Sequence, residues 1–424
     1  MLKRLRLQHF KNFLYAELKL GSFTLLVGTN ASGKSNLRDA FRFLHGISRG
    51  YTLAEIIGEK WIEGGVLQWR GIRGGTREVT FQDTETFGLE VLFTIADQTG
   101  ERDATYGIMV DANSSGIGPQ VVAEELIVGQ DEVIFNSEPE VNSFGQPDIL
   151  RLKVNLLKIG SIHTSVSLLS QRPILSQYIK LDSTGLQGSL RNRKTALLAR
   201  DALSSMQFLD LDPDAMRMPS LPGQTILGDR GENLSSVLQA ICEDPERKQT
   251  LIQWIQELTP MDASDFEFPS DFTGRILLTL VEENGQRISA YSASDGTLRF
   301  LGIIAALLGP EPARFYFIEE LDNGIHPTRL HLLLQLIERQ VSAKNIQIVA
   351  TTHSPQLLRL LTPESLKYAS LTYRLPDRPD AQIKRILDIP EAQRVIQEQD
   401  LASLHESGWL EDMVYFLEDE ETVK

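Results

Sequence analysis

An eight-residue loop near the N-terminus constrains this chain more than any other feature. The loop reads Gly28, Thr29, Asn30, Ala31, Ser32, Gly33, Lys34 and Ser35. It matches G-x-x-x-x-G-K-[ST] in full, a pattern whose glycines let the backbone wrap around phosphate without Cβ clashes. Its N–H groups form an anion-binding nest, to which the following helix adds its positive end. In this pattern the lysine reaches the β- and γ-phosphates and the last hydroxyl ligates Mg²⁺. The loop, with Asn36 directly after it, therefore predicts a site for a nucleoside triphosphate with Mg²⁺.

The flanking residues predict the local structure that such a loop requires. Phe23–Val27 is a continuous apolar run, which is typical of a strand buried on both faces. From Ser35 onward, Leu37, Phe41 and Leu44 recur at helical spacing. A buried strand, a glycine-rich turn and a helix therefore follow one another, as they do around a phosphate-binding loop.

The rest of the chain divides into regions of different character. At its start, Leu5 and Leu7 alternate with Arg4 and Arg6, which predicts a half-buried strand. Residues 76–170 hold short β-rich segments separated by Gly, Asn, Asp and Pro, which predict an antiparallel meander. These segments include REVTF, GLEVLFTIA, ATYGIMV, DEVIF and LRLKVNLL. Residues 183–260 show helical periodicity, and from about residue 274 strands and helices alternate, which predicts a parallel sheet. We therefore predict an α/β, P-loop fold with a mostly parallel core sheet, an antiparallel β subdomain and a helical insertion. The predicted domains are 1–180 with the phosphate loop, 181–265 as the insertion, and 266–424.

One hairpin is predicted in detail. Asn284-Gly285 separates the segments RILLTLVEE and QRISAYS. Such a pair supplies the two positive φ values of a type I′ turn. We therefore expect two antiparallel strands that meet at a two-residue turn, ahead of the alternating C-terminal region.

Charged and polar residues follow two predicted buried strands of that region. Phe315–Ile318 ends in Glu319 and Glu320, and Ile346–Thr352 ends in His353. Ligands bind outside the carboxyl ends of the strands in open α/β sheets. Two adjacent carboxylates at such an edge can divide the work, because one can hold the Mg²⁺ shell while the other activates water. The histidine can contact the γ-phosphate or the attacking water.

A polar turn precedes both strands. It consists of Ser294, Asp295, Gly296 and Thr297, between the predicted hairpin and an apolar helix. Serine is a favoured N-cap residue, and an aspartate in the first turn complements the positive end of a helix. Helix capping accounts for this composition, and the position of the turn among the other motifs adds a second interpretation.

The order of these motifs resembles the head of ABC-type ATPases. The shared order is a phosphate loop, a turn that opens a helix, a hydrophobic strand with two acids, Asp322 after them, and a histidine at a strand end. Within that class, LQHFKNF, SDGTLRF, IEELDNGIHP and TTHSPQLL are similar to the RecF/SMC/OLD-like branch, the stand-alone "AAA" ATPases of bacterial defence and toxin–antitoxin operons. The similarity covers residues 1–50 and 285–360.

The resemblance implies a role for each matched residue. Gly28–Ser35 corresponds to the Walker A motif. Walker B normally ends in Asp-Glu, and here Glu319 stands at the Mg²⁺-linked position and Glu320 at the general-base position. Asp322 corresponds to the D-loop and His353 to the switch histidine.

The resemblance also identifies the signature motif, Leu-Ser-Gly-Gly-Gln, with Ala293–Thr297, called the signature turn below. Ser294 and Gly296 are kept. Asp295 departs from the motif and would repel a phosphate unless it faces away or binds a partner's Lys or Arg.

Two further assignments follow from the same resemblance. Lys11 and Asn12, in the turn after the first strand, match positions where relatives approach the nucleotide. The Q-loop glutamine stays open among Gln68, Gln82 and Gln171.

The implied mechanism is a composite site. ATP on the phosphate loop of one subunit is closed by Ser294 of another, which implies a head-to-head homodimer with twofold symmetry. Water activated by Glu320 then hydrolyses the ATP and reopens the dimer. The implied function is an ATPase switch that controls a separately encoded effector, a nuclease or toxin, in antiphage defence or toxin–antitoxin control. OLD-family nucleases carry a C-terminal Toprim domain, and we expect the roughly seventy residues after His353, which lack DxD, to be too short for one.

Two alternatives come from other functional classes. A RecF-like DNA repair ATPase would bind DNA directly. Its candidate basic patch is Arg191, Arg193, Lys194 and Arg200, although ordinary charges on a solvated helix explain these residues better. A membrane-transporter cassette is disfavoured by the β-rich middle, the long insertion and the altered signature.

Composition limits the partners and the compartment. The chain has 42 Lys+Arg and 57 Asp+Glu, a net charge of −15, so its overall charge does not favour nucleic acid. A single cysteine, Cys242, excludes an intrachain disulfide and fits a reducing compartment. The longest apolar run, Leu301–Leu308, is far shorter than the roughly 20 residues that span a bilayer. We therefore expect a cytoplasmic protein without a membrane partner.

Overall fold

The computed structural model describes two compact units. The described residues are 1–97, 100–113, 116–141, 147–157, 163–180, 190–258, 263–326, 329–353, 355–358, 360–376 and 378–389. The first unit comprises Met1–Gly21, Gly28–Met206 and Ser370–Arg385. The second comprises Ser22–Val27, Gln207–Ala369 and the segment that begins at Ile386.

The elements are numbered in chain order. The strands are β1 (Leu2–Phe10), β2 (Phe13–Lys19), β3 (Phe23–Val27), β4 (Glu59–Ile62), β5 (Val66–Arg70), β6 (Thr86–Asp97), β7 (Gly100–Asp111), β8 (Gln120–Val128), β9 (Glu132–Val141), β10 (Pro147–Leu157), β11 (His163–Leu169), β12 (Met206–Leu209), β13 (Ala263–Glu267), β14 (Thr279–Glu282), β15 (Arg287–Ser289), β16 (Phe315–Ile318), β17 (Gln347–Thr352), β18 (Ala369–Arg374) and β19 (Ala381–Arg385). The helices are α1 (Lys34–Ser48), α2 (Leu53–Ile57), α3 (Gly75–Glu78), α4 (Ile174–Tyr178), α5 (Leu190–Ser204), α6 (Pro213–Met216), α7 (Leu234–Cys242), α8 (Pro245–Leu258), α9 (Asp295–Leu308), α10 (Leu330–Lys344), α11 (Pro355–Leu358) and α12 (Pro363–Leu366), and a 3₁₀ turn spans Ile386–Asp388.

An antiparallel sheet of eight strands dominates the first unit. Its order is β11–β10–β9–β8–β7–β6–β1–β2. In β1, Leu5 and Leu7 are buried, whereas Arg6 forms ion pairs with Glu17 on β2 and Glu90 on β6. This alternation puts one face of the sheet into the core, where α5 packs against it, and leaves cross-strand ion pairs on the other. The predicted half-buried first strand is confirmed.

The predicted meander is confirmed in part. Four predicted segments lie in β6, β7, β9 and β10. β8 and β11 were not predicted, because the two glutamates of QVVAEELIV and the hydroxyl residues of HTSVSLL weaken the apolar alternation. The prediction of a strand at REVTF is wrong. Gly74 and Gly75, with φ values of 77° and 57°, turn the chain into the short helix α3. After this helix, Thr80 forms an isolated bridge with Phe10.

The predicted hairpin is present, but its turn is not type I′. β14 and β15 pair antiparallel, with Val281 opposite Arg287. Gly285 has a φ of 84°, and Asn284 is not in the positive-φ region. The Gln286 N–H instead donates to Oδ1 of Asn284 at 2.7 Å, so the asparagine side chain closes a longer loop.

Parallel strands form the centre of the second unit. Their order is β12–β16–β17–β3, and β17 pairs in parallel with both β16 and β3. Every residue of β3, β16 and β17 is buried, as the continuous apolar runs predicted. Helices α7, α8 and α10 pack with α9 or with one another around this sheet. The α/β core is confirmed.

The segment predicted as a helical insertion, 181–265, has a different internal organisation. Its described part contains α5, α7 and α8, as predicted, but also β12, whose residues MQFL form a buried strand of the central sheet. The boundary between the two units falls at Met206, so α5 belongs to the first unit and α7 and α8 to the second. Among the described residues, the helices are all too short or too polar to cross a membrane.

Candidate nucleotide-binding site

The register of three parallel strands brings their carboxyl ends to one edge of the second unit's sheet. Val27, the last residue of β3, is paired with Thr352, the last residue of β17. Ile318, the last residue of β16, is paired with Ala350 of β17. The residues that follow these strands in the chain are the phosphate loop, the histidine and the two glutamates. Each motif therefore starts from the edge at which α/β sheets bind ligands.

Lys34 is held inside the phosphate loop. Its Nζ donates to the carbonyl oxygens of Gly28 and Thr29 at 2.6 and 2.8 Å, and the residue is buried. The helix α1 begins at this lysine, after Gly33 at a φ of 107°, and no side chain caps its first turn. The positive end of this fifteen-residue helix, beside a buried ammonium, forms an arrangement suited to an anion.

Gly28 is packed against β18. A Cβ at this position would lie 2.1 Å from the carbonyl oxygen of Thr372 and 2.5 Å from its hydroxyl oxygen. The same hydroxyl lies 2.7 Å from Oγ of Ser32, so Thr372 contacts the loop at both Gly28 and Ser32. The sequence does not predict this residue, because a threonine inside an ordinary strand carries no motif.

Asn12 contacts the far end of the loop. Its Oδ1 accepts a hydrogen bond from Nδ2 of Asn36 at 2.7 Å, and its backbone oxygen accepts one from the Ala381 N–H at 2.7 Å. A Cβ on Gly33 would lie 2.6 Å from the ring of Phe13 and 3.2 Å from the Asn12 amide. The turn between β1 and β2 therefore packs against the phosphate loop. It does so through Asn12, a residue that the sequence predicts to lie near the nucleotide.

Lys11 is engaged by a buried carboxylate of α1. Its Nζ lies 3.2 Å from Oδ2 of Asp39 and donates to the Arg73 carbonyl oxygen at 2.5 Å. Burial lowers the pKa of Lys11, and Asp39 opposes that shift. The Arg73 guanidinium also contacts Asp39, at 3.2 Å. Asp39 and Arg73 were not predicted, and they fix the turn that holds Asn12.

Glu320 takes an unusual backbone conformation directly after β16. Its φ is 48°, in the left-handed region that residues other than glycine rarely adopt. Its N–H donates to Oγ1 of Thr351 at 2.9 Å, and its Oε2 accepts a hydrogen bond from Nδ2 of Asn323 at 2.8 Å. The carboxylate is exposed and oriented. Glu319 is half-buried, and its N–H donates to the Leu209 carbonyl oxygen at 2.9 Å.

The D-loop aspartate is tied to the strand that precedes the histidine. Oγ1 of Thr352 donates to Oδ1 of Asp322 at 2.7 Å. His353, the next residue after Thr352, is exposed. The second unit therefore holds Glu320, Asp322 and His353 at the ends of two adjacent parallel strands.

The signature turn caps α9. Oγ of Ser294 accepts a hydrogen bond from the Thr297 N–H at 3.1 Å, so the predicted N-cap is present. Asp295 is exposed and bonds Arg217, the residue directly after α6, which the sequence did not identify. Gly296 is partly buried.

Nearby acceptors engage three of the four residues of the candidate basic patch on α5. Arg191 pairs with Glu132, and Arg200 pairs with Asp201. Nε of Arg193 donates to the Ile179 carbonyl oxygen at 3.1 Å. The candidates for the Q-loop, Gln68 in β5 and Gln82 and Gln171 in loops, stay open.

The residues predicted for Mg²⁺ fit a cation that is carried mainly by the nucleotide. Ser35 lies in the first turn of α1 and is partly exposed, and Glu319 offers one carboxylate. Among the described residues, no group of three or more His, Cys, Asp or Glu is arranged to hold a metal. Mg²⁺ in nucleotide sites is usually bound by one or two protein oxygens together with phosphates and waters, so this sparse donor set suits it.

Comparison with known proteins identifies a matching family. The model of the family described as "AAA domain, putative AbiEii toxin, Type IV TA system" matches residues 23–116 and 128–359. These residues include the phosphate loop, the signature turn, the paired glutamates and the strand-end histidine.

A curated relative and solved structures are more distant. The "ATP/GTP phosphatase" of Helicobacter pylori is 20% identical over 376 residues, which are 85% of this chain and 87% of the relative. A crystal structure of an SMC head bound to the C-terminal winged-helix domain of ScpA is 13% identical, covers 90% of this chain and 97% of its own, and has a TM-score of 0.49. The SMC head domain from Thermotoga maritima is 13% identical, with coverages of 91% and 98% and a TM-score of 0.40.

Proposed function

This chain belongs to the family of AAA domains described as putative AbiEii toxin, type IV TA system, and is a P-loop ATPase; from that premise we propose that it is a molecular switch that closes as a head-to-head dimer around ATP and controls a separate effector protein. Family membership establishes that the chain is a P-loop ATPase. We propose the dimer, the effector and the roles of the individual catalytic residues.

One observation carries the proposal. The register that pairs Val27 with Thr352, and Ile318 with Ala350, starts the phosphate loop, the histidine and the acidic pair from the same sheet edge. This arrangement supports their acting on one nucleotide, because ligands of α/β sheets bind outside the carboxyl ends of the strands.

In the proposed reaction, the chain binds and positions more than it reacts. Lys34 and the uncapped N-terminus of α1 neutralise the phosphates. Glu320, oriented by Asn323, accepts the proton of the water that attacks the γ-phosphorus. The bond between that phosphorus and the β–γ bridging oxygen breaks, giving ADP and phosphate. His353 donates a hydrogen bond to the γ-phosphate oxygens as charge develops on them.

Mg²⁺ would be held by the Ser35 hydroxyl and, directly or through water, by Glu319. When bound, it neutralises charge on the β- and γ-phosphate oxygens. Glutamate in place of the usual aspartate lengthens the reach of the carboxylate by one methylene, which favours the water-mediated contact.

A second copy would complete the site. The signature turn presents Ser294 and the first turn of α9 outward, and both are suited to the γ-phosphate of ATP bound to another copy. Because each copy would offer a phosphate loop and a signature turn, the closed form is a twofold dimer with two sites. ATP would favour the closed state by contacts that the open state lacks, and hydrolysis would remove them.

The effector is proposed to be a separately encoded nuclease or toxin, in antiphage defence or toxin–antitoxin control. The description of the family, which refers to a toxin–antitoxin system, supports this setting. Direct DNA binding by this chain is the weaker alternative, because acids and a backbone carbonyl engage three of the four basic residues of its candidate patch.

Mixed dimers test the composite site. Lys34→Ala and Ser294→Ala are each expected to lose ATP hydrolysis, and an equimolar mixture is expected to recover about a quarter of wild-type phosphate release per chain. The recovery arises because half of the dimers would join an intact loop to an intact signature turn. Lys34→Ala mixed with Glu320→Gln is the matched control and should stay inactive, since both losses fall on the same side of the interface. Equal behaviour of the two mixtures would contradict the composite site.

A further inference from the structure

Arg217 is bonded to the signature turn from outside it. Its Nη2 donates to Oδ1 of Asp295 at 2.5 Å and to the Ala293 carbonyl oxygen at 3.1 Å, and its Nη1 donates to Oδ1 of Asp214 at 3.0 Å. The Arg217 side chain is 22% exposed, against 66% for Asp295. Three acceptors therefore fix the arginine, while the aspartate faces solvent beside the N-cap Ser294.

Asp295 poses a charge problem for the proposed function. Its carboxylate follows directly after Ser294, the residue proposed to contact a phosphate of another copy. Two negative groups brought together with water partly excluded repel each other strongly. Asp214 adds little to this repulsion because its side chain is 93% exposed and well screened. A cation is therefore needed at the turn.

The backbone of the turn faces a second requirement. The carbonyl of Ala293 directly precedes Ser294, the N-cap of α9. The direction of this carbonyl therefore sets the orientation in which Ser294 caps the helix. Arg217 bonds this carbonyl and the Asp295 carboxylate with the same nitrogen, so one side chain fixes the turn on both sides of Ser294. A guanidinium suits this task because its donors lie in one rigid plane.

We propose that Arg217 is a positioning residue of the composite ATP site: it neutralises Asp295 and holds the Ala293 carbonyl so that the signature turn accepts the phosphate of a second copy. This inference rests on the proposed function, in which the turn acts in trans. Arg217 touches no nucleotide in this scheme and acts through the turn.

A charge cycle tests the inference in the Glu320→Gln background, in which the closed dimer should accumulate. The probe is ATP with Mg²⁺, and the readout is the dimer dissociation constant from sedimentation velocity. Arg217→Gln is expected to weaken the ATP-dependent dimer at least tenfold. Adding Asp295→Asn to Arg217→Gln should restore it to within about threefold, because the uncompensated charge is then gone. A double variant as weak as Arg217→Gln alone would overturn the charge role.

Ionic strength and a conservative variant give independent readouts. The defect of Arg217→Gln should shrink between 50 and 500 mM NaCl, because salt screens the repulsion. Arg217→Lys should keep most of the dimer affinity, because it retains the charge. In the chain with Glu320 intact it should lower kcat, because the ammonium loses the planar geometry of the guanidinium. If Arg217→Gln does not fold, Asp295→Asn alone provides the test. This variant should dimerise at least as tightly as its parent. A tenfold loss of its dimer affinity would contradict the proposal.

Arg230 supplies the matched control. It forms an ion pair with Asp212 in the same unit, away from the signature turn in sequence, and is 49% exposed. Arg230→Gln should leave the dimer affinity of the Glu320→Gln parent within twofold, and it should leave the phosphate release of the chain with Glu320 intact within twofold. A loss of dimer affinity equal to that of Arg217→Gln would mean that breaking any arginine–aspartate pair in this unit has the same effect. That result would refute the specific role of Arg217.

Mixed dimers separate this inference from the proposed function. Arg217→Gln mixed with Lys34→Ala should regain phosphate release, as Ser294→Ala does in the same mixture. Recovery with Ser294→Ala but not with Arg217→Gln would refute the inference and leave the composite site standing. No recovery in either mixture would refute the composite site itself.

Discussion

Gly296 of the signature turn and Gly324 of the D-loop lie in direct backbone contact. A Cβ on Gly296 would lie 2.0 Å from the Gly324 carbonyl oxygen, and Gly324 itself has a φ of 75°. Each glycine is therefore required, one by lack of space and the other by its backbone conformation. The contact joins the start of α9 to the segment that orients Glu320 through Asn323. A displacement of the signature turn is thus felt within the catalytic segment of the same copy.

Gly296→Ala should separate the turn from the D-loop. The clash is with backbone, which cannot rotate away, so we expect a loss of about 1–3 kcal/mol of unfolding free energy and at least a tenfold loss of kcat. Urea unfolding and steady-state phosphate release measure the two effects. Gly107→Ala is the control: its Cβ would meet the Glu125 side chain at 3.5 Å, an ordinary contact, and should leave kcat unchanged. Normal activity of Gly296→Ala would refute the coupling.

Thr372→Val should weaken ATP binding without removing it. The substitution keeps the side-chain shape and deletes the hydroxyl that lies 2.7 Å from Oγ of Ser32. Losing one buried hydrogen bond costs about 1 kcal/mol, which corresponds to roughly fivefold in the dissociation constant. Isothermal titration with a non-hydrolysable ATP analogue measures it. An unchanged constant would show that β18 does not support the loop.

Lys34→Ala should abolish nucleotide binding. The buried ammonium is the principal positive charge within the loop, and alanine leaves the triphosphate without it. We expect at least a hundredfold loss of affinity in the same titration. Lys11→Ala is informative beside it: because Lys11 bonds Asp39 and not the loop itself, its loss should cost far less affinity. Wild-type affinity of Lys34→Ala would contradict the interpretation of the loop.

Glu320→Gln should bind ATP and hydrolyse it slowly. The amide keeps the hydrogen-bonding shape but cannot accept a proton, so kcat should fall at least a hundredfold while the dissociation constant changes less than threefold. Single-turnover phosphate release gives the rate of the chemical step. Glu319→Gln should instead raise the Mg²⁺ concentration needed for half-maximal rate. Full turnover by Glu320→Gln would mean that another group is the base.

The sequence predicted the elements that depend on local pattern. Three such features can each be identified from a few consecutive residues, and the structure contains them. They are the P-loop pattern, the continuous apolar runs of β3, β16 and β17, and the N-cap at Ser294. The meander was harder because β8 carries a buried carboxylate, Glu124, whose polarity breaks the apolar alternation even though the residue is inside.

The missing parts of the site depend on contacts distant in sequence. Thr372 lies 340 residues from Ser32, and Arg217 lies 78 residues from Asp295, and neither belongs to a motif. A sequence pattern reveals a residue only where its chemistry is unusual for its place in a strand or helix. A threonine in a strand and an arginine after a short helix are ordinary there, and only the fold gives them a role.

Glu124 should make the stability of the protein fall as pH rises. Burial raises its pKa to about 7, although it accepts hydrogen bonds from Tyr106 and from the N–H groups of Ile174 and Leu175. The unfolded chain releases this proton near pH 4.5, so between these values the folded state binds one proton more. The contribution is therefore complete below about pH 4.5 and is lost through about pH 7, an effect of about 3 kcal/mol.

His45 acts in the opposite direction and must be separated from Glu124. Burial lowers the pKa of His45 to about 4, so its contribution grows as pH rises from 4 to 6.5. Comparing wild type with Glu124→Gln cancels the histidine, which both proteins retain. The difference in unfolding free energy between them should shift by about 2–3 kcal/mol against wild type from pH 5 to pH 8, as measured by urea denaturation. A difference that is flat with pH would show that Glu124 is ionised throughout in the folded protein.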